Sequence, residues 1–371
     1  MTAKGLVHVL AGCRLRTGNP VGWLAAVVAI VGMLLAGCAP AAESELVPPP
    51  DEPLPTDVPQ GTKLVVADQN EAVQTLMRAS GAHDELAAAT EYANFLGGPA
   101  ILEAIRAGSV DLAAVGDTPP IQAHAAGESV PIVAARKQSK PDYRFAVAPG
   151  VTVDRLTDLA GKRISYGEGT GRQPFVLRAL RKAGLQPTDV ELIPLQAADF
   201  PDAIRTGQVD VAVLNEPHFT RYLRDYRDAG ASAVPEAELD GVASGLQYLY
   251  ARGEALRDPA KAAAIRDFVY KWVAAVTWSR EYPDTWIDAY HVDNQRLSRA
   301  DGRTVVESEG AFTFPPLRGE LVEIQQDSID IIHDAGDIPE RLTAEDEFDT
   351  RFDEVLDEAV EAAGARRVAA G

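Results

Sequence analysis

A loop of glycine and threonine placed just before a helix can hold an oxyanion without carrying a full charge of its own. Gly169-Thr170-Gly171-Arg172-Gln173 is such a stretch. Backbone N–H groups at a helix start and a nearby hydroxyl bind anionic oxygens. Arg172 adds a cation able to make a two-point contact. The bland reading makes Thr170 an N-cap and Arg172 a solvated residue of the first turn. A second stretch, Gly116-Asp117-Thr118-Pro119-Pro120, offers another hydroxyl at Thr118 and a carboxylate at Asp117, which could instead order its own loop. Gln69 and Asn70 carry amides that donate and accept. Glu216, in Asn215-Glu216-Pro217-His218-Phe219, is a second carboxylate with the same two readings as Asp117. Two carboxylates at one site repel a bare anion. Basic groups then offset them, or they point away, or the ligand carries an amine. His124 and His218 read as surface or capping residues.

These loops need elements to hold them, and the chain writes those elements twice. AIRAGSVDLAAV (104–115) and AIRTGQVDVAVL (203–214) agree at seven of twelve positions, 99 residues apart. Each phrase reads as a helix end, a glycine suited to a left-handed cap, and a short apolar strand. KLVVAD from Lys63 and KRISYG from Lys162 keep the same offset. Each copy therefore runs strand, loop, helix, linker, helix, strand. A repeat of about a hundred residues predicts two similar α/β lobes. In open α/β sheets the ligand sits beyond the carboxyl ends of the strands. The four polar loops all follow strands, and the offset pairs Asp117 with Glu216 and Asn70 with Gly169 across a cleft.

The ends of the chain differ from this body. Residues 1–37 hold Lys4, Arg14 and Arg16, no acidic residue, and the apolar run VGWLAAVVAIVGMLLAG before Cys38. A basic start, an apolar run and small residues before a break describe a secretory signal. Residues 38–61 are rich in proline and acid and read as a tether. Loss of residues 1–37 takes the net charge from −20 to −23. So acidic a chain argues against nucleic acid and anionic lipid surfaces as partners, and solubility is its plainer explanation. The two cysteines, Cys13 and Cys38, both precede the body, which excludes a cysteine nucleophile, a disulfide and thiolate metal ligands there. The six histidines show no metal-ligand spacing, and no P-loop or G-x-S-x-G motif is present. No metal and no cofactor are expected. The stretch 265–290 holds Phe268, Trp272, Val276 and Trp278 at the spacing of a core face, although Trp272 or Trp278 could also wall a ligand.

LAGC at 35–38 resembles the bacterial lipobox, which implies a diacylglycerol on Cys38 after cleavage. GGPAILEAIRAGSVDLAAVGDTPPIQAHAAG (97–127) resembles the first-lobe signature of the sulfonate-, taurine- and nitrate-type solute-binding proteins of ABC importers. LTDLAGKRISYGEGTGRQPFVLRALRKAGL (156–185) is similar to that family's second-lobe opening, and 317–339 to its C-terminal helix with paired glutamines. The family usually has small hydroxyl residues where Arg172 stands.

The resemblance implies a two-lobed periplasmic-binding-protein-like fold of type II, with the cleft between lobes joined by a two-segment hinge. The expected lobes are 62–146 with 249–371, and 147–248, with crossings near Tyr143–Gly150 and Gly245–Gly253. It also implies a ligand set drawn from Gln69, Asn70, Asp117, Thr118, Gly169, Thr170, Gly171, Arg172 and Glu216. The implied protein is a lipid-anchored, monomeric, extracytoplasmic component that hands a small organic anion or zwitterion to an ABC permease with its ATPase. An enzyme on the same fold, desulfinase-like or pyrimidine-forming, and a binding lipoprotein without transport are the alternatives. The former chemistries lean on a cysteine or on cytoplasmic substrates.

Overall fold

The computed structural model describes residues 52–364. The chain enters with β1 (Lys63–Gln69), α1 (Ala72–Ala79), β2 (Ala89–Phe95), α2 (Gly98–Arg106), β3 (Leu112–Val115), α3 (Thr118–Ala125) and β4 (Ile132–Gln138). A second set follows: β5 (Tyr143–Val147), β6 (Arg163–Tyr166), α4 (Arg172–Ala183), β7 (Glu191–Pro194), α5 (Phe200–Arg205), β8 (Val211–Asn215), α6 (His218–Tyr226) and β9 (Ser232–Ala233). The remainder comprises β10 (Leu246–Ala251), α7 (Gly253–Arg257), α8 (Pro259–Glu281), α9 (Pro283–Trp286), a π-helical stretch (Ile287–Asn294), α10 (Arg299–Glu309), β11 (Phe312–Thr313), α11 (Glu320–Asp334) and α12 (Phe352–Ala362). Two sheets result, in strand order β11-β4-β10-β3-β1-β2 and β7-β6-β8-β5-β9.

The 99-residue echo is structural. In each sheet three parallel strands come from one strand–helix–strand–helix–strand run, β2-β1-β3 in the first and β7-β6-β8 in the second. The last strand of each run then meets an antiparallel strand from outside the repeat, β10 beside β3 and β5 beside β8. Gly108 and Gly207 close the equivalent helices α2 and α5 at φ of 68° and 72°, the left-handed conformation that glycine adopts without a Cβ clash. The aspartate that follows does the same work twice. Asp111 Oδ2 accepts from the Val65 N–H (3.1 Å), and Asp210 Oδ2 from the Arg163 N–H (2.9 Å). Each carboxylate thus ties the start of one repeat strand to its neighbour.

The lobe boundaries lie slightly off the expected ones. A cut at 146/147 falls inside β5, whose whole length pairs with β8 in the second sheet. A cut at 248/249 falls inside β10, which pairs with β3 and β4 in the first. The chain therefore passes between sheets at 139–142 and 240–245. These segments run together, with the Gln138 N–H donating to the Gly245 carbonyl (2.9 Å). Apolar runs on either side obscured the change, because a strand looks alike in whichever sheet it joins.

Two cores follow from two sheets. The first buries Phe268, Trp272 and Val276 of α8 against β1, β3, β4 and β10, and Trp272 meets Phe314 edge-on. The helix start fits its sequence: Asp258 caps the Ala260 and Lys261 N–H groups, and Pro259 needs no donor there. The C-terminal part does not return wholly to the first lobe, since Ile329, Ile331 and Ile332 of α11 pack in the second core. The last described part of the acidic tether also departs from expectation. Leu54 and Val58 pack partly buried on the first core, and Arg351 Nη1 donates to the Glu52 carbonyl (3.3 Å).

Candidate functional site

At the carboxyl ends of β1, β3, β4 and β8 lies a cavity of about 190 Å³. Both lobes wall it. The first contributes Asp68 and Gln69 from β1, Gly116 after β3, Arg136 and Gln138 from β4, and Gln247 from β10. The second contributes Tyr143 and Arg144 from β5 and Asn215 and Glu216 at the end of β8. Asp142 on one crossing segment, with Ser308 and Glu309 at the end of α10, completes the wall.

The charged groups differ in how they are held. Asp68 accepts from the Gln69, Val73 and Gln74 N–H groups, which ties the β1 end to α1. Burial nevertheless pushes its carboxyl above the ordinary range. Arg144 donates to Glu216 Oε1 (3.5 Å) and to the Ser308 carbonyl (3.1 Å), and its cation lies over Phe219. Glu309 accepts from Arg280 (2.9 Å); burial raises its carboxyl against the opposing pull of Arg136 and Arg280. Asp142 is pushed up to about 7, first by burial and then by the Asp117 charge. Arg136 is unlike these. Its guanidinium lies 4.1 Å from the centre of the Phe312 ring, whose centre is also 4.3 Å from the Arg280 guanidinium. Burial lowers its pKa, and only longer-range charges act on it.

Two of the nine sequence-selected residues, Gln69 and Glu216, stand on this wall. Asn70 lies just beyond it, at a left-handed φ of 56°, with its carbonyl accepting from Gln295 Nε2 (3.3 Å). The glycine loops do face each other, but they touch. A Cβ on Gly171 would sit 2.8 Å from the Tyr143 hydroxyl and 3.2 Å from Asp117 Oδ1, and one on Gly169 would sit 3.5 Å from Pro99. Nothing larger than hydrogen fits at Gly171, so no ligand-sized gap separates Gly169–Gly171 from Gly116–Thr118. Thr170 donates to the Gly167 carbonyl (2.7 Å) and accepts from the Arg172 N–H (3.3 Å). The Arg172 side chain turns inward, donating to the Val213 carbonyl (3.3 Å) and to Asn215 Oδ1 (2.7 Å), with its cation over the Tyr143 and Phe200 rings.

Asp117 and Thr118 are buried behind the wall in a polar network. Thr118 Oγ1 and Ser244 Oγ donate to the Asp117 carboxylate (3.2 and 3.1 Å), and Arg178 of the second lobe lies 4.0 Å away. Gln325 Nε2 donates to the Asp117 carbonyl (3.1 Å) and to Glu347 (2.6 Å). His124, expected at the surface, is buried with Nδ1 3.1 Å from Glu347. Helix α11 covers this face, and the local sequence around His124 carries no sign of that cover. Arg136, Arg144, Gln247, Ser308 and Glu309 escaped the sequence reading. Arg136 did leave a signal, a basic pair with Lys137 that closes the apolar run PIVAA (131–135).

Among the described residues no helix is long and apolar enough to cross a membrane. No group of three or more histidine, cysteine, aspartate or glutamate side chains there has metal-binding placement.

Two linked α/β lobes walling a polar cavity at their strand ends define a periplasmic-binding-protein-like fold. A family model described as NMT1/THI5 like matches residues 97–225. The putative aliphatic sulfonates-binding protein of Escherichia coli K12 is 27% identical over 251 residues, covering 68% of this chain and 76% of that protein. The taurine-binding periplasmic protein of the same organism is 30% identical over 133 residues, 36% of this chain and 41% of that protein. The crystal structure of the periplasmic aliphatic sulphonate binding protein from Escherichia coli superposes with a TM-score of 0.65 at 24% identity, covering 78% of this chain and 98% of that chain. A desulfurization enzyme bound to biphenyl-2-sulfinic acid shares the fold at a TM-score of 0.56 and 14% identity, covering 80% of this chain and 99% of that chain. The resemblance read from the sequence therefore stands: the chain is similar to NMT1/THI5-like proteins over residues 97–225 and to sulfonate- and taurine-binding proteins.

Proposed function

We propose that this chain is the extracytoplasmic solute-binding component of an ABC importer. It captures a small organic anion, an alkanesulfonate or a taurine-like zwitterion, and passes it to a membrane permease. The observation that carries this reading is the cavity of about 190 Å³ at the strand ends, walled by both lobes and lined with arginine, amide and hydroxyl donors; the carboxylates Asp68, Asp142, Glu216 and Glu309 share the wall and would suit a ligand that also carries an amine. Such a site binds by closure of the lobes, and closure tells a permease that the site is full. The relatives named for sulfonates and taurine support the ligand class. Cys38, outside the described residues, anchors the protein through its lipid, and residues 1–37 are the signal that exports it. An enzyme on this fold is the second reading, favoured by the structural likeness to the desulfurization enzyme. Against it stands a body with no cysteine beyond Cys38.

A thermal-shift screen of the full chain in detergent, against alkanesulfonates, taurine, nitrate and sulfate, tests the proposal. Ligand at 100 times its Kd should add about 2.7 kcal/mol to stability. Turnover of any compound in the panel would favour the enzyme, and silence across it would refute anion capture. Cys38→Ser should abolish incorporation of radioactive fatty acid, and a labelled variant would refute the anchor.

A further inference from the structure

We propose that Arg136, with Gln247 beside it, is the group that docks the ligand's anionic head. This rests on the anion-binding reading above. The cavity wall holds two arginines, and only one is committed. Arg144 already donates to Glu216 and to the Ser308 carbonyl. Arg172, the cation the sequence singled out, does not line the cavity and is spent on the Val213 carbonyl and on Asn215. The Arg136 side chain makes no hydrogen bond within the described residues, so its five N–H donors meet no protein acceptor there. Arg136 is only partly buried, so water meets its free donors until an oxyanion replaces that water with charge-assisted hydrogen bonds.

Phe312 lies against both the Arg136 and the Arg280 guanidinium, and Arg280 pairs with Glu309. Glu309 is thereby kept from capturing Arg136 for itself. Gln247 is the direct cross-strand partner of Arg136 between β10 and β4. Such partners place their Cβ atoms roughly 4.5–5.5 Å apart on one face of a sheet. No protein group bonds the Gln247 amide among the described residues, and it lines the same cavity. A planar fork with an adjacent amide donor matches two or three oxygens of a sulfonate, where a lone ammonium would match one.

Isothermal titration calorimetry of the full chain in detergent, with the panel above and inorganic sulfate as probes, tests this. Arg136→Gln should weaken the best anion roughly 10- to 150-fold, the range for losing charge-assisted hydrogen bonds. Arg136→Lys should recover part of that loss. Unfolding of the ligand-free protein should stay unchanged in Arg136→Gln, since the side chain holds no hydrogen bond to the protein. Arg144→Gln should instead lower ligand-free stability. Anion binding in the wild type that persists at full strength in Arg136→Gln overturns the role of Arg136 and leaves the function standing. Loss of affinity and of ligand-free stability together, in the glutamine and lysine variants alike, marks a structural role and also overturns it. A wild type that binds no anion of the panel overturns both.

Discussion

Alanine at Asp111 and alanine at Asp210 remove the same local bond from two copies of one phrase, yet their costs should differ. Each carboxylate accepts one backbone N–H, from Val65 or Arg163, and that bond contributes about 1 kcal/mol. Asp111 also holds Lys261 Nζ at 2.6 Å and Arg252 Nη2 at 3.0 Å, and its own side chain is only 2% exposed. Breaking a fully buried pair costs about 3–5 kcal/mol. Lys261 and Arg252 keep 30% and 19% exposure, so water recovers part of that and about 2 kcal/mol remains. Asp111→Ala should therefore lose about 3 kcal/mol in all. Asp210 faces one guanidinium that stands in water, so Asp210→Ala should lose only the backbone bond, about 1 kcal/mol.

Urea unfolding measures the difference lobe by lobe. Trp272 and Trp286 lie in the first core and Trp278 packs against it, so their fluorescence reports the lobe that holds Asp111. Circular dichroism reports both lobes. The pH dependence carries a sign. Burial raises the Asp111 carboxyl, but Lys261 and Arg252 outweigh it and leave the folded value below the ordinary one. A lowered folded pKa gives stability that is present above about pH 4 and is lost as pH falls through the folded value. The gap between wild type and Asp111→Ala should shrink on acidification. Equal losses at the two aspartates, or a gap that grows in acid, would refute the argument.

Gly245→Ala should destabilise the protein by about 1–2 kcal/mol or more, because φ is +65° and the new Cβ would lie 2.6 Å from the carbonyl of Gln138, the last residue of β4 before the other crossing segment. An unchanged urea midpoint would show that the crossings give way freely. Thr170→Val should cost about 1 kcal/mol of ligand-free stability through its lost bond to Gly167, with anion affinity unchanged in calorimetry. A clear loss of affinity there would mean that the glycine loop reaches the ligand.

Some of this protein was legible before any coordinates. The repeat predicted two α/β lobes of one connectivity, because helix ends, glycine caps and apolar strands are local signals that act over a few residues. Gly108 and Gly207 are left-handed for that reason, and Phe268, Trp272 and Val276 form a core face because a helix repeats every 3.6 residues. The general position of the cavity was also readable, since ligands of open α/β sheets gather at the strand ends.

The identity of the cavity wall was decided elsewhere. Arg136 and Gln247 are 111 positions apart and meet only because β10 lies antiparallel to β4. Phe312, which orients Arg136, arrives on a two-residue strand at the far edge of that sheet. The glycine loops looked like the anion site from their composition, but the lobes bring Gly171 against Gly116 and Asp117, and the space there is gone. Local sequence specifies what a segment can do. Which segments share one cavity, and which are pressed shut, depends on contacts between residues far apart in the chain, and only the packed lobes contain those.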